Sequence, residues 1–381
     1  MTHETFMQRA LDLAQSVLTT TPNPRVGCVI VQNGQVVGEG FHQRAGEPHA
    51  EVNALHEAGA RARGSTVYVT LEPCAHTGRT GPCAEALVAA GVGEVIYAMQ
   101  DPDPRVSGRG LAILREAGIA VQGPVLEHAA EAVNRGFVRR VREQRPWVRC
   151  KMAMSLDGRT AMASGESKWI TGPAARADVQ RLRASSCAIL TGVNTVLHDD
   201  PSMNVRPEQL PPSVSLVDPV QQPYRVIIDS RLRTPPGARI LQLPGSVLLM
   251  TGTLPAAQRT AFHDAIADEG VASERVQIHD CAGAATQVDL QAVLHRLATD
   301  YQCNEVMVEA GPTLGGALLQ AGLVDELVVY IGGKLLGSEA MPLFVLPGMQ
   351  RMQDQITLTL TDVCQLDGDC RISARVKNSA V

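Results

Sequence analysis

Short apolar runs alternate with stretches of helical spacing along almost the whole chain, and this alternation stops once and restarts. In the first part, strands are expected at residues 26–31, 36–41, 66–71, 94–99 and 119–122. Helices are expected at 4–18, 49–57, 83–90, 108–117 and 128–142. Asn33-Gly34 between the first two strands is the strongest short hairpin signal. A dense basic run ends at Arg145-Pro146, and Trp147 opens a new apolar strand over 148–154. Strands follow at 188–191, 225–229, 247–250, 305–308 and 326–331, with helices at 173–183, 290–298 and 313–320. Two late strands, 356–360 and 372–376, flank the turn Asp367-Gly-Asp369, and the Pro-rich stretch 207–223 reads as a surface loop. Elements in this order build layered α/β folds with largely parallel sheets. At 381 residues the chain exceeds one ordinary core, so we expect two domains, 1–145 and 146–381.

Charge and cysteine usage narrow the function. The net charge is -5 and there are only five Phe, five Tyr and two Trp, so a basic groove with stacking aromatics for nucleic acid is not expected. One small anionic substrate needs only a few local Arg residues. Nine scattered cysteines are not a disulfide framework and point to a reducing compartment with some thiols kept for a purpose. The N-terminus has no apolar core of a signal peptide, and no apolar run is long enough to span a bilayer. The expectation is a cytoplasmic protein without membrane partners.

The sharpest chemical signal is His49-Ala-Glu51, then Pro73-Cys74, then Pro82-Cys83 nine positions on. One His and two Cys supply three ligands, the number of a catalytic zinc that keeps a fourth position for water. A closed structural site would need a fourth ligand, for which His76 is the candidate; its alternative is a contact to substrate. Glu51 lies two positions after a ligand at a helix start, where a carboxylate can shuttle protons. This is the H-x-E…P-C-x-x-C arrangement of zinc deaminases, except that eight residues, not two, separate the cysteines. A deaminase of tRNA or DNA would need the basic groove that is missing. A zinc-stabilised regulatory protein would have no use for Glu51.

With Thr21-Pro-Asn-Pro-Arg-Val-Gly-Cys-Val-Ile-Val, Glu72-Pro-Cys-Ala-His-Thr-Gly-Arg-Thr-Gly-Pro-Cys83 and Asp101-Pro-Asp-Pro-Arg-Val-Ser-Gly-Arg-Gly110, the first half resembles the bifunctional riboflavin-biosynthesis deaminase/reductase family. Gly81-Pro82 departs from the Pro-Pro associated with the family. The resemblance implies a cytidine deaminase-like three-layer α/β/α domain that removes an amino group from a diaminopyrimidinone ribosylamino phosphate. It implies Asn23 and His76 as ring-orienting residues. Read alone, Asn23 is better explained as a turn residue between two prolines. Arg79, Arg105 and Arg109 sit in Gly-rich settings, and either contact the substrate phosphate or are solvated surface.

In the second half, Val306-Met-Val-Glu-Ala-Gly311-Pro-Thr-Leu-Gly-Gly-Ala317 is strand, Gly turn, helix. Its helix start could hold a pyrophosphate, although such turns also serve plain packing. Lys151-Met-Ala-Met-Ser-Leu-Asp-Gly-Arg-Thr160, Ser164-Gly-Glu-Ser-Lys-Trp-Ile-Thr171, Thr191-Gly-Val-Asn-Thr-Val-Leu-His-Asp-Asp-Pro201, Ile228-Asp-Ser230 and Glu309-Ala-Gly-Pro-Thr-Leu extend the resemblance over nearly the whole chain. They imply a dihydrofolate reductase-like α/β domain using NADPH to reduce the ribosyl chain to ribityl. Carried over by position, Ala153, Trp169, Thr195, Asp199, Ser230, Gly311, Pro312, Thr313, Leu314, Gly315, Gly316 and Ala317 would contact NADPH. Ser167, Arg183, Met203 (where Leu is usual), Arg206 and Glu309 would contact the phosphorylated substrate. Trp169 could equally be a core residue. The resemblance also implies a homodimer through the reductase domains, for which the run 323–331 could supply an edge or be buried in its own sheet.

Overall fold

The computed structural model describes residues 2–75, 81–211, 214, 220–283 and 287–377. The chain divides at Arg145–Pro146 into two compact units, each with its own sheet.

The first unit runs α1 (His3–Gln15), β1 (Gly27–Gln32), β2 (Gln35–Phe41), α2 (Ala50–Ala58), β3 (Thr66–Val69), α3 (Cys83–Ala90), β4 (Glu94–Tyr97), α4 (Arg109–Glu116), β5 (Ala120–Gln122), α5 (Glu127–Val133) and α6 (Arg135–Glu143). Its sheet has the order β2-β1-β3-β4-β5. β1 is antiparallel to both neighbours, and β3, β4 and β5 are parallel. The β1–β2 hairpin turns at Asn33 and Gly34, both with positive φ, as its dipeptide demands. Helices cover both faces of the sheet: α1 packs beside α5, whereas α2, α3 and α4 lie side by side. The core joins Met7 and Leu11 of α1 to Val29, Ile30, Val67, Ile96 and Leu111. The expected single helix over 128–142 is broken at Asn134. That side chain is buried and trades hydrogen bonds with the backbone of Arg25, accepting from its N–H at 2.8 Å and donating to its carbonyl at 2.9 Å. The two helices end and restart around this residue.

The second unit runs β6 (Trp147–Ser155), β7 (Arg159–Ala161), α7 (Pro173–Ala184), β8 (Ala188–Gly192), α8 (Val193–Asp199), β9 (Tyr224–Ile228), α9 (Arg239–Gln242), β10 (Val247–Thr251), α10 (Ala256–Asp268), β11 (Val276–Asp280), α11 (Leu290–Thr299), β12 (Glu305–Val308), α12 (Pro312–Gln320), β13 (Glu326–Gly332), β14 (Met341–Pro342), β15 (Leu358–Leu366) and β16 (Asp369–Val376). Among the described residues, nine strands form one sheet in the order β11-β10-β9-β8-β12-β6-β13-β16-β15. All pairs from β11 to β13 are parallel, and the β15–β16 hairpin adds an antiparallel edge. Alternate strand residues serve opposite faces: Val306 and Val308 join α11 and α12 through Leu294 and Leu318, whereas Met307 packs with Val179 and Leu182 of α7. On that latter side, Ile189, Ile227 and Leu249 meet Val196, Phe262 and Ile266 of α8 and α10.

α10 and β11 have no counterpart in the sequence reading. α10 buries only Phe262 and Ile266, and β11 is a largely polar edge, so neither shows a clear period. The run 323–331, considered as an edge, lies inside the sheet as β13, between β6 and β16. The edge on that side is β15, longer than expected and mostly exposed, with Leu360 and Val363 open to solvent. The Pro-rich stretch 207–223 falls partly outside the described residues.

Candidate active sites

The metal ligands stand where helices begin. His49 is the residue just before α2, in extended conformation, and Cys83 is the first residue of α3 after Pro82. Cys74 lies in the loop that leaves β3, and its Sγ accepts the Cys83 backbone N–H at 3.3 Å. A helix start offers free N–H groups and positive potential, both of which favour a thiolate. His49 Nδ1 lies 3.6 Å from Cys74 Sγ and 3.3 Å from Cys83 Sγ, and the three ligand atoms fall within 4.8 Å of one another. Zn–S bonds of about 2.3 Å and Zn–N bonds of about 2.0 Å set at tetrahedral angles place such atoms about 3.5 to 3.8 Å apart, so the donor set fits zinc in kind and spacing. Cys74 is drawn down to about 4, first by its contact with the Cys83 side chain, while that contact and burial push Cys83 up. The pair therefore holds one thiolate readily, and a dication among the three ligands favours both.

Glu51 sits in the first turn of α2, 3% exposed. Burial pushes its carboxyl up to about 7, which suits a group that takes and returns protons near neutrality. Asn23 is half-buried, and its Nδ2 lies 3.0 Å from His42 Nε2. His42 Nδ1 faces the Pro48 carbonyl at 3.1 Å and must donate to it, and burial keeps the ring neutral. Nε2 is then an acceptor, which fixes the Asn23 amide with its NH2 toward His42. His42 carries no spacing signal in the sequence and comes into view only through this contact. Its ring also stands edge-on to His49 at 5.3 Å. Arg105 is exposed and closed on Asp103 by bonds of 2.7 to 3.2 Å, whereas Arg109 is an exposed residue at the start of α4. His76 and Arg79 lie outside the described residues.

In the second unit the residues converge at the C-terminal ends of parallel strands, where open α/β sheets bind ligands. Glu309 follows β12 and receives Arg183 of α7 in a two-pronged pair, Nε at 2.6 Å and Nη2 at 3.0 Å. Two expected substrate contacts thus hold each other. Lys151 of β6 brings its Nζ to 4.0 Å from Glu309. Burial opposes the Glu309 charge, but Arg183, with Lys151 and Arg206, holds the carboxyl below its usual range. Burial also lowers Lys151, only partly offset by Glu309. Lys151 carries no signal of its own in the sequence, because its alternating strand position conceals that it approaches this pair. Arg206 is half-buried, while Met203 is buried among Val193, Val196 and Ile240 as a core residue.

The nicotinamide cofactor has matching features. Thr191 Oγ1 at the end of β8 and Asp229 Oδ1 beyond β9 are buried without a hydrogen-bond partner among the described residues. Among the described residues no side chain caps the start of α12 at Gly311, so first-turn N–H groups can meet a phosphate. These orphaned groups fit a polar ligand lying across the strand ends. Thr195 and Ser230 are half-buried at the same ends, Asp199 closes α8 in solvent, and Ala153 and Ser167 are half-buried. Pro312, Thr313, Leu314 and Ala317 lie within the first two turns of α12. Gly315 and Gly316 are buried against Phe344 and Val345; a Cβ on Gly316 would come within 2.1 Å of the Val345 carbonyl oxygen, so close packing explains both. Trp169 is 64% exposed, with the Arg176 guanidinium 4.6 Å above its ring, and is no core residue.

Comparison with known proteins agrees with this geometry. Residues 1–99 match the family model of the cytidine and deoxycytidylate deaminase zinc-binding region, and 146–372 match that of the RibD C-terminal domain. The chain is 51% identical over 358 residues to the riboflavin biosynthesis protein RibD of Escherichia coli, covering 93% of this chain and 94% of that protein. The structure of Acinetobacter baumannii RibD superposes with a TM-score of 0.88 at 45% identity, over 99% of both chains. That of a diaminohydroxyphosphoribosylaminopyrimidine deaminase/5-amino-6-(5-phosphoribosylamino)uracil reductase from Thermotoga maritima gives 0.81 at 29% identity over 98% of both. The two units are a cytidine deaminase-like three-layer domain and a dihydrofolate reductase-like domain. Matched from end to end by these relatives, the chain belongs to the RibD family of riboflavin biosynthesis proteins.

Proposed function

We propose that residues 1–145 deaminate a diaminopyrimidinone ribosylamino phosphate and that residues 146–381 reduce the ribosyl chain of the deaminated product. The chain is a bifunctional enzyme of riboflavin biosynthesis, a hydrolase and an oxidoreductase, served by zinc and NADPH. The observation that carries the first activity is the buried Glu51 beside three convergent zinc ligands.

His49, Cys74 and Cys83 would hold the zinc, which would supply a Lewis acid that makes water nucleophilic near neutral pH. Glu51 takes a proton from that water as its oxygen bonds to the ring carbon. It would return that proton to the ring nitrogen, then carry the remaining proton of the added hydroxyl to the amino group as the C–N bond breaks and the carbonyl forms, so that the group leaves as ammonia. Asn23, oriented by His42, and His76 hold the ring. Arg109 meets the phosphate, with Arg79 and Arg105 as further contacts.

In the second unit the residues at the strand ends would hold NADPH, which would supply a hydride to C1 of the substrate's open imine form. The reduced nitrogen also needs one proton, and Lys151 is its donor. Arg183 keeps Glu309 in place, Ser167 and Arg206 contact the substrate, and Met203 backs the pocket from the core. Trp169, Thr195, Asp199, Ser230, Ala153 and the start of α12 bind the cofactor. The enzyme works in the cytoplasm as a homodimer joined through the reductase units. The long exposed edge of β15 supports that pairing, because edges of this kind are normally covered. No helix among the described residues is long and apolar enough to cross a membrane.

The deciding experiment is ammonia release and metal content in Glu51→Gln with NADPH absent. We expect about one zinc per chain, as in a catalytic site, and a loss of deamination of about a thousandfold, within the range for an acid–base group. Undiminished deamination would remove Glu51 from its role.

A further inference from the structure

The turn carrying Cys74 and the loop 101–110 are joined by one side chain that neither activity yet uses. Glu72 is 4% exposed. Its Oε1 accepts the backbone N–H of Gly110 at 3.0 Å, and its Oε2 accepts those of Gly108 at 2.9 Å and Asp101 at 3.3 Å. Its own N–H is anchored on the Met99 carbonyl at 2.9 Å, just beyond β4. A buried carboxylate is costly unless its charge is hydrogen-bonded, and here all three donors come from a single loop. The approach is also tight: a Cβ on Gly110 would come 1.8 Å from the Pro73 carbonyl oxygen, so α4 starts directly against the metal-ligand turn.

The loop lies beyond residues 1–99, which carry the zinc-binding match, and it holds Arg105 and Arg109. Arg105 is closed on Asp103. Arg109 stands between Gly108 and Gly110, the two residues whose amides Glu72 clamps. The backbone that aims Arg109 is therefore fixed to a residue two positions from a zinc ligand.

We propose that Glu72 is a positioning residue for the phosphate end of the deaminase substrate. It sets the spacing between the metal turn, where the ring reacts, and the loop that receives the phosphate. The inference rests on the reading of this loop as the phosphate contact.

The test uses the full-length zinc-loaded enzyme, with ammonia release measured on the phosphorylated substrate and on its dephosphorylated nucleoside. Glu72→Gln keeps the shape but turns an NH2 toward a backbone N–H. We expect zinc content to stay near one per chain and KM for the phosphorylated substrate to rise about tenfold, the scale of one charge-assisted contact, with kcat within about threefold. On the nucleoside, variant and wild type should match. Amide exchange over 101–110 should quicken, and reduction of directly supplied deaminated substrate should not change. Gly110→Ala, which pushes α4 off the turn while leaving the carboxylate intact, should show the same phosphate-dependent rise and carries the test if Glu72→Gln does not fold. Loss of zinc, or an equal effect on both substrates, would mean that Glu72 serves the metal turn alone and would overturn the proposal. If Arg109→Ala raises KM and the Glu72 and Gly110 variants do not, the phosphate reading stands and the positioning role falls. If none of the three raises it, both fall.

Discussion

The two active sites are built by opposite strategies. The deaminase site takes His49, Glu51, Cys74 and Cys83 from one short stretch of chain, set on two helix starts and one loop, so its chemistry is compact in sequence and in space. The proposed reductase site gathers Lys151, Arg183 and Glu309 from three separate elements and depends on strand ends, orphaned polar atoms and an uncapped helix. A metal demands particular side chains at fixed distances, and a short motif can supply them. A cofactor cleft is made mostly of backbone, and only the assembled sheet supplies it.

Zinc removal should separate the two most sharply. Chelation is expected to abolish deamination while leaving NADPH oxidation on deaminated substrate within about twofold, since no reductase residue needs the metal. Parallel loss of both activities would show that the sites are not independent.

Glu309→Gln is the converse. It leaves the Arg183 guanidinium buried opposite a neutral amide, which costs about 3 kcal/mol when a buried pair is broken. Reductase activity should fall at least tenfold and the second unit should melt earlier, with ammonia release unchanged; separate thermal transitions followed with each activity would check it.

The pH profiles should diverge in direction. Glu51 acts as a base only when ionised, and its raised value means that ionisation is lost as pH falls through about 7. A bound dication lowers that value, so the acid limb of deamination is expected at or below about 7. Lys151 donates only when protonated, and burial lowers its value, so reduction should fade as pH rises, before an ordinary lysine would titrate. An acid limb for reduction alone would contradict the Lys151 assignment.

The smallest effect expected is that of Trp169→Ala. An exposed ring stacked under Arg176 adds little to the fold, so stability should hold within about 0.5 kcal/mol while KM for NADPH rises severalfold. A large loss of stability would instead return Trp169 to a packing role.

Much of this was legible in the chain itself. The Asn33-Gly34 hairpin, the α/β alternation and the His49, Glu51, Cys74 and Cys83 constellation follow from local rules: turn residues, side-chain period and ligand chemistry. What stayed hidden was long-range. His42 acquires meaning only when Asn23 arrives beside it, and the helix break at Asn134 falls where its amide meets the backbone of Arg25, 109 positions away. Lys151 looks like one more strand residue until Arg183 and Glu309 close around it, and Gly316 looks like a phosphate glycine until Val345 is found against it. The sequence by itself determined which chemistries the chain can perform, because metal ligands and a carboxylate are properties of side chains. Only the tertiary structure decided which β-strand forms the sheet edge, which arginine is already paired and which carboxylate joins one loop to another, because those depend on what folding brings within hydrogen-bond distance.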